Sequence, residues 1–409
     1  MSDAQLGWWR RLWTKAAAPL TAVFARGGSY SRRRWTYAIA VAEGYERNPY
    51  VFRGVNLVSQ AVGSLDWQTF RRTAKGYQVE PETHPLTRLL MRPNPLTGGS
   101  AFFQAIVSHL LLGGRAYVIK VRPQPGLPPR ELHAVAPDTM KRVDGSKLGE
   151  VLRYDYQPDP MRRPIPYEPR DVICISLFSA SRLDGFSPLS AAAVDVDQLN
   201  SAAEWNARLM KNGGAPEGAW VVQGVLDKEA HAKAKRLISD EVGGIKNAGN
   251  LPLLSGDIKY ERYGLSPKEL QYERLIMVCA RGVALALDVP PKLMFDADTQ
   301  NYASLSAAMK QLWLEAALPK MALVRDELNA QLAPDFGDDI VTDTDLDAVE
   351  ALSEGRADKW KRVNDAVALT LNEKRAELGL EPLGKDGDVI LVPSSSVTLG
   401  DVIDPGGGE

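Results

Sequence analysis

The sequence predicts an α+β protein organised around two long helices with a small insert between them. Three observations support this fold class. Short β-rich segments separated by proline and glycine turns fill much of residues 48–186. Helical periodicity runs through residues 187–212 and again through 265–289. Pro290 and Pro291 then end the second helix before a polar loop, because a helix interior does not tolerate proline.

Length and composition are those of an ordinary globular protein. The chain has 409 residues, of which 44% are hydrophobic and 24% are charged, and its formal net charge is −2. A chain of this length holds roughly two to four structural units. The near-neutral charge argues against a protein that grips DNA phosphates with a surplus of Lys and Arg. No apolar run reaches the ~20 residues that cross a bilayer, so we expect no membrane partner.

The charges are unevenly distributed between the two ends of the chain. Residues 1–40 contain seven Arg or Lys and one acid, whereas residues 335–354 contain eight acids and no base. Residues 1–47 are rich in Arg, Gly and Ser and only weakly periodic, so we interpret them as a basic, poorly ordered arm. The aromatic and basic run GWWRRLW leaves an interfacial membrane helix as the alternative.

Residues 48–186 predict an α+β unit with an antiparallel or mixed sheet. Asn48 and Pro49 are expected to begin its first helix, and Ser100 to cap a later helix that ends at Gly113 and Gly114. Strands are predicted at residues 67–70, 116–121, 132–135, 151–156 and 172–176, and a short helix at 84–91.

The first long helix is predicted to run unbroken over residues 187–212, with Ser187 as N-cap and Pro188 at the first helical position. A seven-residue repeat suits packing against other helices, and a coiled-coil homodimer is the alternative interpretation. The repeat consists of Leu189, Ala192, Val196, Leu199, Ala203, Asn206 and Met210.

The insert at residues 213–264 predicts a small αβ module at the end of the helix pair. Strands are expected at 220–223, 251–254 and 258–263, and an amphipathic helix at 227–242. A module that protrudes in this way is a natural docking surface.

The second long helix is predicted to start at Ser266 and Pro267. Gly282 in its interior implies that a neighbouring backbone comes close. A third helix over residues 304–332 contains Pro319, which predicts a kink. A further helix is expected at about 346–371, followed by a short helix, a turn and a strand.

Motifs for catalysis and metal binding are missing from the sequence. It contains no phosphate loop, nucleophile elbow, zinc motif or dinucleotide fingerprint. Cys174 and Cys279 lie in apolar contexts and are predicted to be buried thiols rather than a disulfide. Asp296, Asp298 and Glu315 allow a metal-dependent nuclease site to be considered, but no further motif supports it.

An acidic run near the C-terminus is the nearest approach to a metal motif. Asp343, Asp345 and Asp347, with Glu354 at the twelfth position, resemble a calcium loop, but Ala348 stands where the sharp turn needs glycine. Acids at a helix N-terminus, where they complement the helix dipole, are the plainer explanation. We therefore expect no metal and no cofactor.

Several motifs, taken in order and spacing, resemble the portal proteins of long-tailed (siphophage-type) bacteriophages and related gene transfer agents. The resemblance covers about residues 48–398. The family often continues the double proline with Leu-Leu-Gly, whereas this chain has Lys292 to Asp296 there. The motifs are Gly113-Gly114-Arg115-Ala116-Tyr117, Gly185-Phe186-Ser187-Pro188-Leu189, Asn247-Ala248-Gly249, Leu254 with Gly256, Tyr260-Glu261, Leu265-Ser266-Pro267, Gln271 with Glu273, Val289-Pro290-Pro291, Leu318-Pro319, and the segment from Asn372 to Pro382.

The resemblance implies a homo-oligomeric ring, typically of twelve subunits, at one vertex of a capsid. It divides the chain into an N-terminal basic arm (1–47), an α+β wing (48–186), a first stem helix (187–212), a clip (213–264), a second stem helix (265–289), a tunnel loop (290–303), a kinked wing helix (304–332), and a helical crown region with a tail (333–409).

The resemblance also implies partners and site residues. Double-stranded DNA would be packaged and ejected through the ring, whose partners would be the terminase large subunit, a head-tail adaptor and the major capsid protein. The ring would be assembled in the bacterial host cytoplasm and belong to the virion, and it would not be an enzyme. The implied DNA-channel residues are Met294, Phe295, Asp296, Asp298, Thr299, Gln300, Asn301 and Tyr302, and the implied adaptor-docking residues are Trp220, Lys228, Lys246, Asn247 and Asn250.

The charge of the predicted loop agrees with a conduit for DNA. Arg or Lys on the channel wall would hold phosphates and slow sliding, whereas Asp296 and Asp298 would repel the backbone. Two other classes of protein remain open from the sequence. One is a nucleic-acid-processing enzyme with an acidic metal site, and the other is a capsid adaptor that forms no channel.

Overall fold

The computed structural model describes residues 35–390 apart from positions 75, 148, 181–184, 212–217, 223–228, 230–231, 234–235, 237–257, 263–271, 296–301, 347, 367, 379 and 381–382. The chain divides into two units, Met1–Thr36 and Tyr37–Glu409, and all elements named below lie in the second. Among the described residues, none of the helices combines the length and apolarity that crossing a membrane requires.

Helices connect and cover four small sheets. The helices are α1 (Tyr37–Ile39), α2 (Pro49–Gly63), α3 (Pro85–Met91), α4 (Gly99–Gly113), α5 (Pro188–Ala191), α6 (Ala193–Lys211), α7 (Tyr272–Ala286), α8 (Tyr302–Gln311), α9 (Leu318–Gln331), α10 (Glu350–Asp365) and α11 (Leu371–Glu377). π-helical turns at Ala40–Tyr45 and Leu312–Ala317 extend α1 and join α8 to α9, and a 3-10 turn at Pro291–Leu293 follows α7.

The strands pair antiparallel wherever the structure describes a pair of strands. They are β1 (Trp67–Thr73), β2 (Gly76–Val79), β3 (Arg115–Val121), β4 (Glu131–Val135), β5 (Met140–Asp144), β6 (Val151–Tyr156), β7 (Ile165–Tyr167), β8 (Val172–Ser176), β9 (Gly218–Val222), β10 (Ile258–Arg262) and β11 (Ile340–Thr344). The sheets have the orders β11-β1-β2, β4-β3-β8, β5-β6-β7 and β10-β9. The predicted α+β character and all five predicted strands before residue 177 are confirmed.

Helix α2 begins where the sequence predicts. The Asn48 side chain accepts hydrogen bonds from the backbone N–H groups of Tyr50 and Val51, at 3.1 and 3.3 Å, and Pro49 occupies the first helical position. Four valines recur on its buried side and are fully enclosed, at positions 51, 55, 58 and 62. This helix is the central element of the core.

The predicted cap of α4 is wrong by two residues. The helix begins at Gly99 with Gly98 at the cap position, and Ser100 already lies inside it. A Cβ at Gly99 would lie 2.6 Å from the carbonyl oxygen of Leu90, so the chain approaches α3 too closely there for a larger residue. The predicted end is confirmed, because Gly114 follows the helix in the left-handed conformation with φ 77°.

The first long helix is not continuous, contrary to the prediction. A turn at Ala192 separates α5 from α6. Ser187 makes no capping hydrogen bond, and its hydroxyl instead donates to the carbonyl oxygen of Leu111 at 2.9 Å. The Ser187 side chain therefore joins α5 to α4 rather than closing its own first turn.

The buried stripe of α6 also departs from the predicted heptad. Ala203, Asn206 and Met210 are exposed, and the side chains that turn inward after Leu199 are instead Ala202, Trp205 and Leu209. The reason is the position of α7, against which Trp205 packs through the ring of Tyr272 at a centroid distance of 5.5 Å. A straight helix with 3.6 residues per turn drifts from a seven-residue repeat, and here it does so toward its partner.

The sequence predicts a kink at Pro319, and the structure shows a change of helix type beside it. The helix widens into the π-helical turn Leu312–Ala317, where the N–H of Leu318 donates to the carbonyl oxygen of Trp313, five residues earlier. Proline has no N–H to continue the ladder, so the chain changes its hydrogen-bond pattern next to Pro319.

The acidic run folds differently from the prediction. Asp343 lies in β11, opposite Gln68 of β1, and not at a helix N-terminus. The following helix is α10, which is shorter than the predicted 346–371. Thr370 then starts α11 with a capping box shared with Glu373. Among the described residues, Ile390 forms a single antiparallel bridge to Thr370 where a strand was expected.

The C-terminal end of α9 covers the edges of two sheets. The side-chain amide of Asn329 accepts from the N–H of Thr342 and donates to its carbonyl oxygen, at 2.6 and 2.9 Å. Gln331 does the same for Cys174 of β8, at 3.1 and 3.2 Å. Each amide thus takes the place of a paired strand, which prevents the edge from recruiting another chain.

A buried cation connects β3 to the same helix end. Lys120 is nearly enclosed, and its ammonium group donates to the carbonyl oxygen of Gln331 at 2.6 Å and to Asp335 at 3.0 Å. Burial lowers the pKa of Lys120, and Asp335 opposes this shift. Arg122 adds ion pairs of 2.7 Å to Asp335 and to Asp171, so the carboxylates compensate both cations.

Two of the motifs that carry the family resemblance meet in space. A Cβ at Gly114 would lie 2.6 Å from the carbonyl carbon of Phe186 and from the amide nitrogen of Ser187, and one at Gly185 would overlap the carbonyl oxygen of Gly114. That same oxygen accepts a hydrogen bond from the N–H of Leu177 at 2.8 Å. Glycine is required here because two backbones touch.

We expect Gly114→Ala to destabilise the protein more than Gly126→Ala. Both glycines have left-handed backbones, with φ 77° and 88°, so both changes cost about 1–2 kcal/mol of strain. Only Gly114 has neighbours in the way, since Gly126 has none within 4 Å, and the overlap adds about 1–3 kcal/mol. Urea denaturation measures both, and equal losses would contradict the close-contact explanation.

Candidate functional site: the α6–α7 helix pair and the double-proline corner

Helices α6 and α7 form an antiparallel pair with several polar contacts. The thiol of Cys279 donates to the side-chain oxygen of Gln198 at 3.0 Å, and the Tyr272 hydroxyl donates to the carbonyl oxygen of Ala202. Cys279 is buried and Cys174 is half-buried, and both are free thiols, as the sequence predicts. The predicted pairing of the two long helices is therefore present in the structure.

Gly282 allows the closest approach within this pair. A Cβ at this position would overlap the carboxylate of Asp195. The neighbour that makes glycine necessary is thus a side chain, and not the backbone that the sequence analysis expects. Burial raises the pKa of Asp195, and burial together with Asp195 raises the pKa of the Cys279 thiol. The contact brings a carboxyl group and a thiol together inside the helix pair.

The chain leaves α7 through a tightly bonded corner. Asp288 has a left-handed backbone, with φ 57°, which is uncommon for a residue other than glycine. The N–H of Val289 donates to the carbonyl oxygen of Ala284 at 3.0 Å. The 3-10 turn Pro291–Leu293 follows, and the N–H groups of Met294 and Phe295 both donate to Pro291, at 3.0 and 3.1 Å. The two prolines restrict the backbone further, so the corner is stiff.

Helix α2 holds this corner from one side. The guanidinium of Arg53 donates to the carbonyl oxygen of Leu293 at 3.3 Å. A Cβ at Gly54 would lie 2.5 Å from a methyl group of Leu287 and 3.5 Å from the terminal methyl of Met294. Because Gly54 has no side chain, Leu287 packs directly on the helix backbone. Gly54 is not among the residues predicted from the sequence, although glycine inside a helical pattern is a signal of close packing.

Helix α9 holds the same corner from another side. The ammonium group of Lys320 forms an ion pair of 2.7 Å with Asp288. The lysine side chain is mostly buried, whereas half of the aspartate is exposed. This pair fixes the residue with the left-handed backbone to the helix that begins beside Pro319.

The structure describes only part of the predicted channel site. Met294 and Phe295 are half-buried, and Phe295 packs edge-on against Tyr50 of α2 with ring centroids 5.9 Å apart. Tyr302 begins α8, and its side chain is outside the described residues. The remaining predicted channel residues, Asp296, Asp298, Thr299, Gln300 and Asn301, also lie outside the described residues.

The predicted docking residues of the insert are described only at Trp220. Its backbone lies in β9, opposite Tyr260 of β10, which confirms two of the expected strands as an antiparallel pair. Lys228, Lys246, Asn247 and Asn250 lie outside the described residues, as does the third expected strand.

Acidic residues do not converge on a metal site in the described part of the chain. No group of three or more His, Cys, Asp or Glu there has an arrangement that would hold an ion. Asp343 instead lies 3.6 Å from the guanidinium of Arg325. Asp347 and the side chain of Glu354, which belong to the calcium-like pattern, are outside the described residues.

Comparison with known proteins identifies the family. Residues 49–379 match the family model described as phage portal protein. The chain belongs to the phage portal protein family. Among curated proteins, an uncharacterized protein of Rickettsia bellii is 31% identical over 85% of this chain and 90% of its own length. A probable portal protein of Streptomyces phage phiC31 is 25% identical over 71% of this chain and 66% of its own length.

Solved structures of gene transfer agent necks and of an HK97-family portal protein share the fold. A chain in the neck of an empty gene transfer agent particle, computed with C6 symmetry, is 32% identical, with a TM-score of 0.65 over 85% of this chain and 94% of its own length. A chain in the neck of the native particle, computed with C12 symmetry, is 31% identical, with a TM-score of 0.63 over 85% and 95%. A portal protein of the HK97 family from Corynebacterium diphtheriae, at 18% identity and a TM-score of 0.53 over 74% and 94%, agrees in fold alone. The chain is a structural portal protein.

We expect Gly54→Leu to displace the double-proline corner. The new side chain would occupy the space of Leu287 and Met294, so the protein should lose about 1–3 kcal/mol of stability and become sensitive to protease between residues 286 and 302. Gly98→Leu is the matched control, because its Cβ meets nothing within 4 Å and its φ is −83°. Equal protease sensitivity in both variants would show that α2 does not hold the corner.

Proposed function

We propose that this portal protein forms a closed ring of twelve subunits through which double-stranded DNA enters and leaves a capsid. The observation that carries the proposal is the likeness to the chain in the native gene transfer agent neck, which extends over 95% of that chain in a particle computed with C12 symmetry. The likeness to the HK97-family portal is weaker in both identity and TM-score. These values favour a gene transfer agent, or a phage related to one, as the particle.

The parts of the subunit follow from this assembly. Residues 48–186 and 304–332 form the wing, helices α5 to α7 the stem, residues 213–264 the clip, and residues 333–409 the crown region and tail. Three features of the described chain support the division. The amides of Asn329 and Gln331 join α9 to β11 and to β8, and these strands come after and before the stem helices in the sequence. Helices α6 and α7 pack against each other, and the β9–β10 ribbon lies between these two helices in sequence.

The stiff corner after α7 is the mechanical part of the proposal. Residues 296–301 connect this corner to α8 in the chain, so the end at which the tunnel loop leaves the helix pair is held by α2 and by Lys320. Asp296 and Asp298 would then stand on a fixed support beside the DNA. Carboxylates repel phosphate, so the loop would centre the duplex without holding it.

The partners of the ring are proposed from its place in a virion. A terminase large subunit would supply the energy for packaging, a head-tail adaptor would dock on the clip, and the major capsid protein would surround the wing. The ring itself would use no cofactor and catalyse no reaction. Assembly would take place in the cytoplasm of the bacterial host, before the ring is built into the capsid vertex.

Purified protein should assemble into rings. Light scattering coupled to gel filtration would report a mass about twelve times 44.8 kDa, and negative-stain images would show a central hole. A monomer at every concentration tested would overturn the proposal. ATPase or nuclease turnover that is lost in Asp296→Ala or Asp298→Ala would favour an enzyme instead.

Reversing the loop charge should impair DNA movement but not assembly. In the double variant Asp296→Lys and Asp298→Lys, attraction to phosphate replaces repulsion, and we expect packaged DNA to fall by on the order of tenfold, more at low salt. Glu168→Lys with Asp159→Lys is the control, because Glu168 is exposed and Asp159 is half-exposed, and both acids lie on turns of the proposed wing. Packaging is measured as nuclease-protected DNA. Normal packaging by the loop variant would show that these two residues do not line the channel.

A further inference from the structure

One side of α7 is apolar and basic, and none of the residues that the structure describes covers it. Arg274, Val278, Arg281 and Leu285 recur at spacings of four, three and four, which places them on one side of a helix. All four are exposed, Val278 by 55% and Leu285 by 74%. Exposed aliphatic side chains in a row indicate a protein-binding face rather than a solvent face.

One side of α6 has the complementary character. Val194, Asp197, Ser201 and Glu204 recur at spacings of three, four and three, again along one side of the helix. Val194 is 51% exposed, Ser201 and Glu204 are exposed, and Asp197 is half-buried. This face therefore offers an aliphatic contact and two carboxylates.

The pairing of α6 with α7 inside one subunit supplies a register. Gln198 contacts Cys279, Ala202 contacts Tyr272, and Asp195 lies against Gly282. Because the two helices run in opposite directions, a higher residue number on α6 lies opposite a lower residue number on α7.

Rotation about a ring axis that runs along the helices keeps each residue at the same height. The register within one subunit then also applies between neighbouring helix pairs, and it brings the complementary residues together. Arg281 comes opposite Asp197, Arg274 opposite Glu204, and Leu285 opposite Val194. Both carboxylates also have polar partners in their own subunit, since Glu204 accepts from Arg47 and Asp197 has a further contact. A guanidinium from a neighbour would extend these networks rather than start them.

We propose that Arg281 and Arg274 on the face of α7 in one subunit pair with Asp197 and Glu204 on the face of α6 in the next. The occupant of each face is thus a second copy of this chain. The inference rests on the proposed ring and names the contact that closes it. Two arginines facing the channel would hold phosphates and retard DNA, which favours a subunit interface as their place.

Charge exchange tests the pairing. Arg281→Glu or Asp197→Arg alone places like charges together, and we expect the ring fraction in gel filtration to fall at least tenfold. Arg281→Glu combined with Asp197→Arg restores opposite charges and should restore rings. Arg153→Glu is the control, because it alters a surface ion pair on β6 and should leave the rings intact. Rings in both single variants, or no recovery in the combination, would overturn the pairing.

Cross-linking tests the geometry independently of stability. Asp197→Cys combined with Arg281→Cys should, on oxidation, give a ladder of covalent multimers that ends at the closed ring, and neither single cysteine variant should. Cross-linked monomers alone would show that the two positions meet within a subunit and would overturn the proposal. If the wild-type protein forms no rings, the proposed function itself is wrong. If rings form but neither the charge exchange nor the cross-linking gives the expected result, only this interface is wrong.

Discussion

Close packing against helix α2 is the constraint on which the rest of the subunit depends. Its glycines let two other elements touch its backbone. A Cβ at Gly63 would lie 2.8 Å from the carbonyl oxygen of Ser100, and one at Gly54 would lie 2.5 Å from Leu287. The first contact sets the position of α4 and hence of the β3 sheet. The second sets the position of the corner after α7. One helix thus relates the β3 sheet to the α6–α7 pair, and packed interiors transmit such positions because they have little free volume.

The corner after α7 shows how the support of the proposed tunnel loop can be rigid. Two prolines limit the backbone, the left-handed Asp288 is tied to Lys320, and Arg53 bonds the turn that follows. The two helices that hold this corner, α2 and α9, come before and after the α6–α7 pair in the sequence. A loop that faces moving DNA needs such a support, since a loop without fixed ends would be displaced by the duplex. The acids proposed for the loop and the arginines proposed for the stem interface then have opposite roles in one part of the ring.

Two sheet edges, at β11 and β8, are closed by side-chain amides. Asn329 and Gln331, two residues apart on the same helix end, each present an amide to a strand, and Lys120 bonds the carbonyl oxygen of Gln331 between them. An amide side chain has one donor and one acceptor side, which matches the exposed N–H and C=O of a single edge residue. At these two edges, β8 and β11, the bonded groups are not free to pair with a strand of another copy.

The sequence by itself determined the α+β class, most of the strands, the start of α2, the double-proline corner and the disturbance at Pro319, because proline, glycine and alternating apolar residues act locally. Its motifs also predicted the family. Only the tertiary structure decided that Gly114 and Gly185 touch, that Ser187 bonds Leu111 instead of capping its own helix, and that the buried stripe of α6 follows Ala202 and Trp205. These features depend on partners distant in sequence, which periodicity does not contain. The position of α7, and not the heptad, determined which side of α6 is buried and which remains for a neighbour.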